Sequence, residues 1–203
     1  MAQTTPQELS QFFDYVVTVL ERLNIPYMVA GGFAAIVHGE PRLTIDVDIV
    51  ADIKSHHIKA LIQAFPSPDY YVSEEAMIDS LRRRFPFNII QTTTGAKADI
   101  VPLPDELFSR IALSRRQKMV YSSDGKEAYF ISAEDIVAAK LFAYQQTGSD
   151  KHLRDARGVL VTQWNQLNLE LIRRMVDHRG LLAEFEKIYE AARQEVDPTA
   201  SGG

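Results

Sequence analysis

The chain contains 203 residues, 46% of them hydrophobic and 24% charged, which is enough to form one domain with an appendage or one extended domain. It has no cysteine, which excludes a disulfide framework, a thiolate metal site and a cysteine nucleophile. The net charge of −5 gives no overall attraction to nucleic acid, and the lack of a long apolar stretch or a signal-peptide pattern predicts a cytoplasmic protein with no membrane partner.

The first predicted elements are a helix and a short strand. Thr5-Pro6-Gln7-Glu8 has the pattern of a capping box with proline in the first helical turn, and an apolar stripe with helical spacing follows as far as Leu23. We expect this helix to end near Asn24, ahead of Pro26. The apolar run 27–30 then predicts a buried strand.

A pair of glycines, Gly31 and Gly32, separates this strand from a short predicted helix over 33–37, which Gly39 ends. A residue without Cβ lets the backbone approach a ligand closely, and the exposed N–H groups at a helix start favour an anion. The glycine pair is therefore a candidate phosphate-binding turn.

Two aspartates alternate with β-branched residues on the next predicted strand, over residues 43–50. Successive side chains of a strand point to opposite faces, so Ile45, Val47 and Ile49 are expected in the core. Asp46 and Asp48 then project together from the other face. Two carboxylates on one face need a cation. An Asp-x-Asp pattern on its own is more often a solvated face, just as two glycines alone more often form a simple turn.

A predicted helix over 55–65 completes a β-α-β-α unit with the strands over 27–30 and 43–50 and the short helix between them. A short strand, a further helix and a hairpin follow. The turn of this hairpin contains Gly95, and Asp99 lies between Ala98 and Ile100, a polar residue between apolar ones like Asp46. The predicted elements are a helix over 55–65, a strand near Tyr71, a helix over 74–83, and hairpin strands over 88–92 and 97–101.

The sequence pattern changes from one typical of strands to one typical of helices near residue 131. A further hairpin is predicted between residues 118 and 131, and a second capping box at Ser132-Ala-Glu-Asp135 begins a helical pattern. We therefore expect a first domain over 1–131 and a helical part over 132–196, followed by a disordered tail over 197–203.

The segment from Gly31 to Asp48 resembles the signature of the nucleotidyltransferase fold, the polymerase-β-like superfamily: a Gly-Gly turn, a spacer of thirteen residues and Asp-x-Asp on a strand. The resemblance is closer still to small prokaryotic, toxin-like (AbiEii-like) members, which include components of toxin–antitoxin and phage-defence pairs. These commonly have His-Gly and Arg-x-Thr before the aspartates, as here in His38-Gly39 and Arg42-Leu-Thr44. The chain departs at Gly32, where many members have serine.

The resemblance implies an α/β (α+β) fold with a mixed β-sheet flanked by helices and a C-terminal helical part. It also implies a third carboxylate on a later strand, for which Asp99 is the candidate. Asp46, Asp48 and Asp99 would then hold Mg²⁺ or Mn²⁺ and catalyse transfer of a nucleoside monophosphate from a nucleoside triphosphate to an acceptor hydroxyl. Arg42 and Thr44 would contact phosphate or brace the loop.

A second resemblance lies in the helical part, where such nucleotidyltransferases have a Ser-x-Glu-Asp-h-h-x-x-Lys helix followed by an Arg-Asp pair. Here the pattern places Lys140 on the nucleotide phosphates and gives Asp155, next to Arg154, a role in positioning the site. The alternatives are that Lys140 extends from an amphipathic helix into solvent and that Arg154 and Asp155 form surface ion pairs.

The acceptor stays open among an RNA 3′ end, a protein side chain and a small molecule. The toxin-like resemblance favours a macromolecule and implies a cognate antitoxin as partner. Basic clusters are compatible with RNA, although runs of this size are more often solvated helix faces; they lie at 82–84, 115–118 and 151–157. The alternative function is a catalytically inactive nucleotide- or partner-binding module of the same fold.

Overall fold

The computed structural model describes residues 4–38, 46–122 and 124–197, with Asp46 described by its backbone alone. Arg42, Thr44, the predicted start of the strand at 43–45 and the predicted tail beyond Asp197 therefore lie outside the described residues. The chain divides into two compact units, one formed by Met1–Phe33 and Leu43–Phe130, the other by Ala34–Arg42 and Ile131–Gly203.

The first unit contains a mixed β-sheet and four helices along its described residues, with a 3₁₀ turn at Ser55–His57 directly ahead of α3. Its helices are α1 (Pro6–Arg22), α3 (Ile58–Ala64), α4 (Glu74–Arg83) and α5 (Leu107–Arg115). Its strands are β1 (Tyr27–Ala30), β2 (Asp46–Ala51), β3 (Tyr70–Tyr71), β4 (Phe87–Gln91), β5 (Lys97–Pro102), β6 (Gln117–Val120) and β7 (Glu127–Phe130).

Helix α1 begins at the predicted capping box. The Thr5 hydroxyl accepts from the Glu8 backbone N–H, and the Glu8 carboxylate accepts from the Thr5 backbone N–H in return, so two N–H groups without helical partners are satisfied. The predicted apolar stripe faces the core; its fully buried members include Phe12, Phe13 and Val16.

Over the described residues the sheet has seven strands in the order β3-β4-β5-β2-β1-β7-β6. The strand pairs β4–β5 and β6–β7 form antiparallel hairpins, as predicted. The pair β1–β2 is also antiparallel, with α2 between the two strands in the sequence. The pairs β2–β5 and β1–β7 are parallel and join segments distant in sequence. The predicted α/β fold with a mixed sheet is thereby confirmed, and β2 is its middle strand.

One helix of this unit is not predicted from the sequence. Helix α5 buries only Ser109, Ala112 and Leu113, and its N-cap residue Glu106 makes no side-chain capping hydrogen bond. Without a capping residue or a continuous apolar stripe, the local sequence carries neither of the two signals by which a helix is found.

The second unit is helical over its described residues. Helix α2 (Gly31–Val37) begins in the first unit and ends in the second, which continues with α6 (Ala133–Thr147), α7 (Asp150–Thr162), α8 (Leu169–Asp177) and α9 (Leu182–Val196). Ser132 is the N-cap of α6 as predicted: its hydroxyl accepts from the Asp135 N–H at 3.1 Å and donates to the Asp135 carboxylate at 2.9 Å.

His38 follows α2 and is almost completely buried in the second unit. Its Nε2 lies 2.7 Å from the carbonyl oxygen of Ile131, and because a carbonyl only accepts, Nε2 carries the proton. The Gln163 side-chain amide donates to the carbonyl of His38 at 3.0 Å. Burial lowers the pKa of His38 from its usual 6.5, an effect larger than the opposing one of the Ile131 carbonyl.

We expect the melting temperature to fall as the pH is lowered below 6.5, the ordinary pKa of histidine. Below that pH the unfolded chain binds a proton at His38 that the folded chain resists, so acid favours unfolding, whereas above it both states hold the ring neutral. Thermal unfolding of the wild type and of His38→Gln measures the effect between about pH 7.5 and about pH 5.5, a range that spans the ordinary pKa of histidine.

The matched control is His178→Gln, since His178 is exposed. His38→Gln should flatten the dependence of the melting temperature on pH, and His178→Gln should keep the wild-type slope. Equal slopes in wild type and His38→Gln would show that His38 does not contribute to this acid sensitivity.

Candidate functional site

A row of partner residues crosses four adjacent strands of the sheet. Asp48 on β2 lies opposite Asp99 on β5 and opposite Ala30 on β1, and Asp99 lies opposite Asn88 on β4. Partners in register point to the same face of a sheet, so the two carboxylates lie side by side. The predicted proximity of Asp48 and Asp99 is therefore present in the backbone pairing.

The alternation predicted for β2 is present in the described side chains. Val47 and Ile49 are completely buried, while Asp48 between them is partly exposed. On β5, Ala98 and Ile100 are buried on either side of the partly exposed Asp99. The apolar residues hold both strands in the core and leave the opposite face of the sheet to the aspartates.

Asp46 is placed by its backbone. It lies two residues before Asp48 on β2, opposite Lys97 on β5. Because side chains alternate with period two along a strand, Asp46 and Asp48 belong to the same face. The same rule assigns Lys97 to the face of Asp99.

Gly31 and the Asp48 carboxylate occupy adjoining space. Gly31 follows β1 directly and has a φ of +63°, a conformation that residues with a side chain rarely adopt. A Cβ built on Gly31 would lie 1.9 Å from Oδ2 of Asp48, far inside van der Waals contact. Glycine is thus required at position 31 for two reasons, its backbone conformation and the carboxylate beside it.

Aromatic contacts hold the first turn of helix α2, directly after Gly31. Gly32 lies at the start of α2, and the next residue, Phe33, packs its ring edge-on to Phe13 at 5.1 Å and beside Phe130 at 6.0 Å between centroids. The predicted strand-to-helix junction at the glycine pair is confirmed, since β1 ends at Ala30 and α2 begins at Gly31.

We expect Gly31→Ala to lower the free energy of unfolding by about 1–3 kcal/mol, because the new Cβ must displace the Asp48 side chain and the residue must keep a positive φ. Urea unfolding of the variant and the wild type measures the effect. The control is Gly125→Ala: Gly125 also has a positive φ, of 82°, but a Cβ added there would meet no atom within 4 Å. Wild-type stability of Gly31→Ala would contradict the requirement for glycine beside the Asp48 carboxylate.

Asp99 contacts two side chains that were not among the predicted site residues. The Asn88 side-chain amide donates to Oδ1 of Asp99, and the Lys97 ammonium lies 3.0 Å from Oδ2. Lys97 is 34% exposed and Asp99 is 21% exposed, so the ion pair is partly shielded from water. The sequence does place Lys97 two residues before Asp99, and therefore on the same face of a strand. The position of Asn88 opposite Asp99 depends on the register of β4 against β5, which the predicted strand bounds do not give.

The oxygen donors of this face suit a hard cation. Magnesium prefers carboxylate oxygens and takes few of them from the protein, so Asp48 and Asp99 on neighbouring strands, with Asp46 on the same face, fit such an ion. Among the described side chains, no three histidine, cysteine, aspartate or glutamate residues form a group able to hold a metal. The Asp46 side chain lies outside that set.

Lys140 and Asp155 lie in the second unit and bind each other. The Lys140 ammonium is 2.5 Å from Oδ2 of Asp155, and both side chains are more than nine-tenths buried, between α6 and α7. The interpretations of Lys140 as a solvent-extended lysine and of Asp155 as a surface residue are therefore wrong. Buried charges are costly unless they are paired, and these two are.

The observed arrangement is the one that the resemblance to nucleotidyltransferases implied: a mixed sheet that carries aspartates side by side on its middle strand and the strand next to it, beside a glycine turn. The chain belongs to the family described as "Nucleotidyltransferase of unknown function (DUF6036)", whose model matches residues 7–197. No curated protein matches the sequence.

Solved structures support the same fold. An antigenic nucleotidyltransferase-like protein from Paracoccidioides brasiliensis is 21% identical, with 94% of this chain and 95% of that one covered and a TM-score of 0.53. ANT(2'')-Ia in complex with adenylyl-2''-tobramycin is 15% identical over 85% and 98% of the two chains, with a TM-score of 0.55. The lincomycin-bound lincosamide antibiotic adenylyltransferase LnuA is 18% identical over 78% and 98%, with a TM-score of 0.50. At these identities the likeness concerns the fold.

The helices within the described ranges differ from membrane-spanning helices. None of them combines the length and the apolar character needed to cross a bilayer.

Proposed function

We propose that the protein is a divalent-metal-dependent nucleotidyltransferase that moves a nucleoside monophosphate from a nucleoside triphosphate to an acceptor hydroxyl. The observation that carries the proposal is the pairing of Asp48 with Asp99 on parallel strands, with Gly31 against the Asp48 carboxylate. Carboxylates placed side by side repel each other, and a divalent cation that they share would offset this repulsion.

Asp46, Asp48 and Asp99 would hold the cation, Mg²⁺ or Mn²⁺. When bound, it supplies charge neutralisation for the triphosphate and a lowered pKa for the acceptor hydroxyl. The partly exposed positions of Asp48 and Asp99 suit this role, since a magnesium site keeps room for water and phosphate oxygens as further ligands.

The transfer itself is an in-line displacement at phosphorus. The acceptor oxygen forms a bond to the α-phosphorus while the bond from that phosphorus to the bridging oxygen breaks, and pyrophosphate leaves. Asp99 accepts the proton of the acceptor hydroxyl, and Asn88 fixes the rotation of this carboxylate through Oδ1. Gly31 and Gly32 let the triphosphate approach the backbone.

The resemblance adds four residues to the proposed nucleotide site. Lys140 is assigned to the phosphates, where an ammonium acts as a point charge, and Asp155 is assigned to positioning. Their ion pair gives Asp155 a direct way to orient Lys140. Arg42 and Thr44 are proposed as phosphate contacts or as braces of the loop.

Two lines of support bear on the chemical class of the acceptor. The toxin-like resemblance favours an RNA 3′ end or a protein side chain, with a cognate antitoxin as partner. The fold neighbours named as antibiotic adenylyltransferases support small molecules as a further class to be tested.

A specific observation favours one alternative function. Asp99 has both oxygens engaged by residues of its own chain, Asn88 and Lys97, which is also what a site that binds no cation would show. On this alternative the protein is an inactive nucleotide- or partner-binding module of the same fold.

The deciding experiment offers each nucleoside triphosphate, radiolabelled at the α-phosphate, to the protein with Mg²⁺ in three parallel mixtures. These contain a cell extract, purified RNA, or lincomycin and tobramycin. The matched control is the double variant Asp46→Asn/Asp48→Asn. We expect label to enter one acceptor class with the wild type and none with the variant.

The outcomes separate the two functions. Label that depends on the aspartates establishes transfer and identifies the acceptor class. Absence of label in every mixture, together with nucleotide binding that the double variant retains, overturns the transferase proposal in favour of the binding module.

A further inference from the structure

Lys97 is a cation placed within the acidic face of the sheet. Its backbone is the register partner of Asp46, and its ammonium lies 3.0 Å from Oδ2 of Asp99. Asp48, two residues after Asp46, is the register partner of Asp99 on the same pair of strands. One lysine is thus placed among all three proposed metal-binding aspartates.

The positive charge of Lys97 affects the repulsion among these carboxylates. Three carboxylates on one sheet face repel one another, and a positive charge among them lowers that repulsion when no metal is bound. Because the Lys97–Asp99 pair is only partly exposed, water screens it less than a pair on the open surface.

The same contact opposes a divalent cation. Oδ2 of Asp99 already forms an ion pair with the ammonium, and Oδ1 accepts a hydrogen bond from the Asn88 amide. An ion that binds at Asp99 must share or displace the lysine and must tolerate a positive charge a few ångströms away. A nucleoside triphosphate brings negative charge that can offset both costs, so it makes metal binding more favourable.

We propose that Lys97 is a positioning residue that serves as the resident counter-ion of Asp99, so that the site binds free divalent metal weakly and metal with nucleoside triphosphate tightly. The inference rests on the proposed metal-dependent function. It assigns to Lys97 a role in the order of loading: the metal binds together with the nucleotide and not before it.

The test is a Mn²⁺ titration followed by the electron paramagnetic resonance signal of the free ion, without nucleotide and without turnover. We expect Lys97→Met to bind Mn²⁺ about tenfold more tightly than wild type, because a competing charge is gone. Lys97→Arg should restore weak binding, since the charge returns. In a second titration with a non-hydrolysable triphosphate, corrected for the Mn²⁺ that the triphosphate binds without protein, the gain in affinity should be larger for the wild type than for Lys97→Met.

Lys118→Met is the matched control. Lys118 lies in the same unit and pairs with Glu127 at 3.0 Å, the distance of the Lys97 pair, but on β6 and β7. Its loss should leave Mn²⁺ affinity unchanged. Circular dichroism in the presence of a chelator checks folding, and Lys97→Gln, which keeps a polar side chain, replaces Lys97→Met if the latter does not fold.

Two failures are distinguishable. If wild type binds no Mn²⁺ with or without the triphosphate analogue, the proposed metal-dependent function is overturned. If wild type binds Mn²⁺ and the neutral variants bind it no more tightly without nucleotide, the counter-ion inference is overturned while the metal site stands.

Discussion

Replacing Asp48 with asparagine is expected to lower nucleotidyl transfer by at least about 10³-fold while the protein stays folded. The side chain lies between Gly31 and Asp99 and is proposed to bind the cation, for which a neutral amide is a much poorer ligand. Folding should survive because the loss of one carboxylate from an acidic face relieves repulsion in the metal-free protein. Asp46→Asn is expected to behave in the same way.

Initial rates of label transfer measure the effect, and thermal unfolding in the presence of a chelator measures the stability. Asp105→Asn serves as the control, because Asp105 is an exposed aspartate of the same unit whose partner is Arg110. It should keep full activity. A folded Asp46→Asn/Asp48→Asn variant with wild-type rates would rule out the carboxylates as the metal-binding groups.

The second large effect is expected in the helical unit. Lys140→Met should lower the free energy of unfolding by about 3–5 kcal/mol, because it leaves the buried Asp155 carboxylate without the ammonium that balances it. The double variant Lys140→Met/Asp155→Leu should recover most of this loss, since an apolar pair of similar volume removes both buried charges. Urea unfolding of the single and double variants gives the comparison.

The double variant also separates structure from function. If it is stable but transfers no label, Lys140 acts on the nucleotide as the resemblance implies. If it is stable and fully active, the pair serves the helical unit alone. A single variant as stable as wild type would contradict the energetic account of the buried pair.

Local signals predicted most of the elements. The capping box at Thr5 and Glu8 fixes the start of α1, and helix α4 has the predicted bounds, Glu74–Arg83, because Ser73 caps it and Arg84 ends it in a left-handed conformation. The predicted helix over 55–65 is instead a 3₁₀ turn followed by α3, which ends at Ala64. Helix ends are set by the packing of the last turn as well as by local sequence.

The site was predicted less completely because it depends on pairing between distant segments. Asp48 and Asp99 meet only because β2 pairs in parallel with β5, and no local pattern fixes that pairing. The family resemblance implied a third carboxylate on a later strand but not this pairing. The contact of Asn88 with Asp99 requires the register of β4 against β5. Similarly, the sequence marks Lys140 and Asp155 separately, but their mutual burial follows from the packing of α6 on α7.

The outer strands of the described sheet limit how it can associate. At one side β3 has only two residues, and at the other β6 carries exposed Gln117 and Lys118 beside Val120. Short outer strands and a charged lysine discourage the addition of a strand from another molecule. The protein should therefore resist edge-to-edge aggregation, which makes concentrated samples practical for spectroscopy.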